Sequence, residues 1–160
     1  MRQAVVGVMG GSACDDGTAA LAEDLGTAIA RAGWVLLTGG RPAGVMEAAS
    51  RGAAQAGGLV LGILPGDDPD AASPWVGVAV ATGLGYARNA LNVLSSTIVV
   101  ALPGSAGTLS EIALALGYGR LVLLLGWDHQ PLADFELPMY HDVGALMDEL
   151  RRRLQDVTPA

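Results

Sequence analysis

Along this chain, short and nearly continuous apolar runs alternate with segments in which apolar residues recur every three or four positions. Six runs read as strands: residues 4–9, 34–38, 59–64, 76–81, 97–102 and 121–125. They lack the in/out alternation of a half-exposed sheet, the pattern expected where helices cover both faces of a parallel sheet. Between them lie helical stripes. Leu21, Leu25, Ala28, Ile29 and Ala32 share a face and stop at Gly33; Val45, Ala49, Ala53 and Ala56 form a small-residue face before Gly57 and Gly58. Leu109, Ile112, Ala113 and Leu116 repeat the pattern up to Gly117 and Gly119, and Val143, Leu146, Met147, Leu150 and Leu154 make a last helix. Arg151, Arg152 and Arg153 sit near the negative end of its dipole. The alternating order predicts an α/β fold: a doubly wound, mostly parallel, Rossmann-like sheet with helices on both faces. Residues 65–74 and 126–138 read as loops.

At 160 residues the chain is the size of one domain, and no linker or internal repeat divides it. A single cysteine, Cys14, rules out an intrachain disulfide. The uncharged stretch 89–110 is long enough to span a membrane, but its Asn, Ser, Thr, Pro and Gly residues read as helix end, buried strand and loop. No nucleic-acid or membrane partner is expected, because a net charge of −7 has the wrong sign for tracking phosphate backbones. The expected location is cytoplasmic. All nine basic residues are arginines. Without lysine, a P-loop, a Schiff-base enzyme and a lysine-anchored pyridoxal phosphate are all excluded.

In a parallel α/β sheet, ligands sit beyond the carboxyl ends of the strands, so chemistry is sought just after each strand. Three glycine-rich loops lie there: Gly10-Gly11-Ser12-Ala13, Gly39-Gly40-Arg41-Pro42-Ala43-Gly44, and Pro103-Gly104-Ser105-Ala106-Gly107-Thr108. Each runs into a helix start, where unobstructed amides suit a phosphate. None has GxGxxG spacing. Thr108-Leu-Ser-Glu111 matches a capping box, with Thr108 as N-cap and Glu111 three residues on. Arg88 opens a segment that offers Ala90, Leu91 and Leu94 to the core, and it falls at the same sheet edge as the loops. A guanidinium there can grip a phosphate or carboxylate as a fork. His129 and His141 lack metal-ligand spacing, so no metal site is expected. Cys14, beside Asp15 and Asp16, reads as inert.

Taken together, Gly39-Gly40-Arg-Pro-Ala-Gly44-Val-Met46-Glu47, then Arg88-Asn89, then Pro103-Gly-Ser-Ala-Gly107-Thr108-Leu-Ser-Glu111 resemble a known superfamily. It is the Rossmann-like group of the Lonely Guy phosphoribohydrolases and the molybdenum-cofactor carrier proteins, whose members were often labelled "possible lysine decarboxylase". For the hydrolase branch the resemblance implies Arg88 and Glu111 as the catalytic pair. For ligand binding it implies Gly39, Gly40, Gly44, Met46, Arg88, Asn89, Pro103, Gly104, Ser105, Gly107, Thr108 and Glu111, to which the first glycine-rich loop adds Gly10, Gly11 and Ser12. Ser105, Asn89 and Ser110 stand where the hydrolase pattern has Gly, Lys and Glu, which brings the chain closer to the carrier branch. The implied function is binding of a phosphate-containing small molecule, a nucleotide or the molybdenum cofactor, with no cofactor required. The alternatives are hydrolysis of a nucleoside 5′-monophosphate to base and ribose 5-phosphate, or ligand sensing. A homodimer or homotetramer is implied. The small-residue helix is free, on sequence alone, to pack on a partner or on its own domain.

Overall fold

A computed structural model of the protein describes residues 2–155. The strands are β1 Val5–Met9, β2 Val35–Thr38, β3 Val60–Leu64, β4 Val78–Ala81, β5 Ile98–Ala101, β6 Val122–Leu125 and β7 Met139–Tyr140. The helices are α1 Asp16–Arg31, α2 Gly44–Gln55, α3 Arg88–Leu94, α4 Ala106–Gly117 and α5 Val143–Gln155, with 3-10 turns at Pro69–Ala71 and Gly85–Ala87. All strand pairs are parallel, in the order β4-β3-β2-β1-β5-β6-β7. β1 is central: Val6 and Gly7 pair with Leu36 and Leu37 of β2 on one side and with Ile98 and Val99 of β5 on the other. The chain reverses its direction of travel across the sheet at β1 and β5. This is the switch point, where the loops after two neighbouring strands diverge and leave a crevice.

Alternate residues of each strand feed opposite cores. Val6, Val8, Leu36, Val100, Leu123 and Leu125 pack with Leu25 and Ile29 of α1, Val45 and Ala49 of α2, and Leu146 and Leu150 of α5. Met9, Leu37, Val99, Ala101 and Leu124 face Val93 of α3 and Ile112 and Ala115 of α4. The doubly wound sandwich expected from the sequence is therefore present.

Several local expectations change. The fourth strand starts at Val78 rather than residue 76, and as an edge strand it leaves Val78 and Val80 substantially exposed. A seventh strand follows the second irregular loop; two residues are too few to register as a pattern. The small-residue stripe of α2 packs within the chain, against α1. A Cβ on Gly52 would run into the carbonyl oxygen of Glu23, and one on Gly26 into that of Ala49. The two backbones thus approach as closely as glycine permits, and Glu23–Arg51 at 2.7 Å flanks the crossing. α3 also inverts its expected face. It buries Arg88, Asn89, Asn92 and Val93, whereas Leu91 and Leu94 are exposed. This helix thus turns a polar face inward, where ordinary core packing would place apolar residues.

Candidate functional site

The crevice at the switch point is a cleft of about 240 Å³. It gathers Gly10, Gly11, Ser12, Gly39, Met46, Arg88, Asn89, Ser105, Gly107, Thr108 and Glu111 from the residues singled out in the sequence. Backbone hydrogen bonds lock its three loops together through Gly11, whose N–H donates to the Pro103 carbonyl at 3.1 Å and whose carbonyl accepts from the Val45 N–H at 3.0 Å. Glycine is required where they touch: Gly44 has φ +52°, and a Cβ there would strike the Gly11 carbonyl.

The remaining candidates lie behind the cleft wall. Gly40 turns at φ +75° against β3 and donates to Thr38 Oγ1 at 3.0 Å. Pro103 and Gly104 line a neighbouring pocket with Cys14, Asp15 and Thr18. In that pocket, burial and the two adjacent aspartates push the Cys14 thiol up. Neither the Gly11 nor the Gly40 amide is free: they donate to the Pro103 carbonyl and to Thr38 Oγ1.

The start of α4 differs. The helix begins at Ala106, and its N-cap, Ser105, makes no side-chain capping hydrogen bond. The capping box expected from Thr108 and Glu111 is absent. Thr108 lies inside the helix, and Glu111 is turned into the interior, where its carboxylate accepts from Asn92 Nδ2 at 2.8 Å. Sequence spacing misplaced the start because Ser105 does no capping and the two glycines carry no helix signal. Among the first four amides of a helix none has an intrahelical acceptor, so the α4 N-terminus turns its donors and the positive end of its dipole toward the cleft at Gly107. A Cβ at Gly107 would meet only the Tyr86 ring, at 3.6 Å.

Opposite this helix end stands a buried polar chain. Arg88 Nη1 donates to Asn89 Oδ1, and Arg88 Nη2 reaches the Gly39 carbonyl at 3.5 Å. Asn89 Nδ2 donates to Ser110 Oγ at 2.9 Å, and Ser110 Oγ donates to the Gly107 carbonyl at 2.7 Å. Asn89 thus ties the arginine to the glycine loop. Arg88 and Glu111 approach to 3.8 Å, with their side chains 11% and 8% exposed. Burial pulls the Arg88 guanidinium down from its ordinary range, against the pull of Glu111. Burial also drives the Glu111 carboxyl up to about 7, opposed by the Asn92 hydrogen bond and by Arg88. Two buried polar atoms here, Arg88 Nε and Asn92 Oδ1, have no partner.

Val8, Met9, Arg41, Pro65, Gly85 and Tyr86, none of them a site candidate from sequence, also line the cleft. Arg41 stands within a loop already quoted, and Tyr86 lies two residues before Arg88; adjacency was the available signal. Among the described residues, no three His, Cys, Asp or Glu side chains come together as metal ligands. No helix among them is long and apolar enough to cross a membrane.

The architecture and cleft define a Rossmann-like α/β protein with a polar, partly cationic pocket at its topological switch point. The family model of the SLOG cluster4 family matches residues 3–147, and the chain belongs to that family. It is similar to the molybdenum cofactor binding protein of the phototrophic bacterium Rippkaea orientalis, with 40% identity, a TM-score of 0.88, and 96% of this chain and 99% of that one covered. It is also similar to the molybdenum cofactor carrier protein of Chlamydomonas reinhardtii, at 38% identity and a TM-score of 0.86, covering 96% and 99% of the two chains. An uncharacterized protein of Archaeoglobus fulgidus is 42% identical over 125 residues, which is 78% of this chain and 82% of that protein.

Proposed function

We propose that the protein is a small-molecule carrier of the molybdenum-cofactor type, binding a phosphate-bearing ligand in the switch-point cleft. One observation carries this reading: the uncapped N-terminus of α4 faces a buried arginine whose Nε has no partner. A phosphate is complementary to both, since it accepts from helix amides and from a guanidinium at once. The ligand phosphate would rest on the amides at Ala106–Thr108, with Arg88 and Arg41 as counter-charges and Asn89 holding Arg88 in place. Met9 and Met46 give the rest of the cleft an adaptable apolar lining. These residues fit the molybdenum cofactor, whose organic part ends in a phosphate, and they fit a nucleotide by the same chemistry. The likeness to carrier and binding proteins at about 40% identity over nearly the whole chain favours the cofactor.

Within the same proposal the chain acts as one ligand-binding domain, in the cytoplasm, as a homodimer or homotetramer. Native mass spectrometry of the purified protein reads the oligomer and any co-purified ligand together. For the site, Arg88→Ala is the test. Losing a charge-assisted hydrogen bond predicts roughly 10- to 100-fold weaker binding of a phosphate-bearing ligand in a protein that still folds. Unchanged affinity would overturn the site.

A second reading is favoured by Glu111, whose carboxyl titrates near neutrality inside the cleft, as a general acid or base needs. In it, Glu111 and Arg88 assist hydrolysis of the N-glycosidic bond of a nucleoside 5′-monophosphate. Release of free base from such substrates tests it; none released leaves binding alone.

A further inference from the structure

Tyr86 is out of place by ordinary burial rules. The chain has only three Trp, three Tyr and one Phe, and aromatic side chains normally repay their size by being buried. Tyr86 is 81% exposed, yet it stands on the lip of the cleft and is the one aromatic among the residues lining it. Its position is specified by the backbone. Gly85, at φ +56°, opens the 3-10 turn Gly85–Ala87, which delivers the ring immediately ahead of Arg88 at the start of α3. The ring edge lies 3.6 Å from where a Cβ of Gly107 would be, so it overhangs the open amides of α4. The same turn therefore presents an uncovered aromatic face and a buried, partly unpartnered guanidinium to a single ligand.

We infer that Tyr86 is a specificity-determining residue, its exposed ring stacking on a planar heteroaromatic group of a ligand whose phosphate is held at the α4 N-terminus. The inference rests on the phosphate reading above and narrows it to phosphates carrying a flat nitrogen heterocycle, a pterin or a purine. An aromatic platform of this kind binds any such ring without reading its edge, and selects against phosphates that have none.

Titration calorimetry of wild type, Tyr86→Ala and Tyr86→Phe with four probes tests it: inorganic phosphate, ribose 5-phosphate, AMP and pterin-6-ylmethyl phosphate. Tyr86→Ala is expected to weaken AMP or the pterin phosphate, whichever the cleft takes, by roughly 5- to 150-fold, the loss of one stacking platform. Tyr86→Phe keeps the ring and should stay near wild type, and neither variant should move the two ringless probes. An equal loss for ringless and ring-bearing probes, or no loss for either, overturns the assignment. So does a change of solution mass in Tyr86→Ala with ring-bearing affinity intact, which makes the residue an interface contact. If ring-bearing probes bind in a Tyr86-dependent way but wild type ignores the ringless phosphates, the stacking role stands and the phosphate anchor falls. If wild type binds none of the four, both fall together.

Discussion

At the scale of single residues the decisive group is Glu111, a carboxyl taken out of water with one amide donor at 2.8 Å and a guanidinium at 3.8 Å. Its folded-state pKa of about 7 lies above the ordinary value of 4.5, so the folded protein holds this proton more tightly than the unfolded chain does. The stability contributed by the neutral form is fully present below about pH 4.5. It is lost as pH rises toward 7, by up to about 3 kcal/mol. Glu111→Gln imitates that neutral form at every pH. Melting temperatures from pH 5 to 8 are expected to fall in wild type and to stay level in Glu111→Gln, which should match or exceed wild type at pH 8. Parallel slopes in the two proteins would show that Glu111 ionises normally. The same residue marks the edge of what sequence spacing can tell. Thr108 and Glu111 satisfy the capping-box pattern, and only the third dimension, which puts Asn92 beside the carboxyl, assigns Glu111 to the interior.

Among the elements, the α1–α2 crossing is where composition becomes architecture. Alanine is the better helix former, so in an isolated α2 the change Gly52→Ala would stabilise by up to about 1 kcal/mol. Here the new methyl meets the Glu23 carbonyl, which is backbone and part of another helix. Neither side can rotate away, and overpacking of this kind costs about 1–3 kcal/mol. The urea midpoint of Gly52→Ala should therefore drop, while helix content at zero denaturant is unchanged; a rise would mean the helices separate at little cost. The stripe of small residues was legible in the sequence, and so were four of the five helices and six of the seven strands, because burial on two faces imposes period and length directly. What packs on the stripe was not legible, since small residues suit a partner subunit and a neighbouring helix equally well. α3 misled in a different way. Amphipathic logic sends Leu91 and Leu94 inward, yet the helix buries Arg88, Asn89 and Asn92 instead. Local rules are expected to break at functional or strained sites, and the candidate cleft is where this one does. The break was visible only once the fold had turned that face toward the cleft.

For the molecule as a whole, the sheet places a helix end with no side-chain cap and the buried Arg88 on opposite sides of one crevice, in a chain of net charge −7. Neither feature favours folding by itself. Arg88 loses hydration on burial, and the α4 amides lack a protein acceptor, so each carries a cost that a bound anion relieves. Binding a ligand to the folded state alone stabilises it by RT ln(1 + [L]/Kd), about 2.7 kcal/mol at a hundredfold excess over Kd. In a domain of this size 1 kcal/mol corresponds to about 2–4 °C, so a saturating phosphate-bearing ligand should raise the melting temperature by roughly 5–10 °C. Arg88→Ala separates site from scaffold. Without the buried charge the ligand-free variant should melt near wild type, since neutral Glu111 needs no counter-ion, but the ligand-induced rise should shrink to a small fraction of its wild-type size. A ligand-free melting temperature that collapses in Arg88→Ala would make Arg88 a structural residue. An undiminished ligand-induced rise would place the anion elsewhere on the molecule.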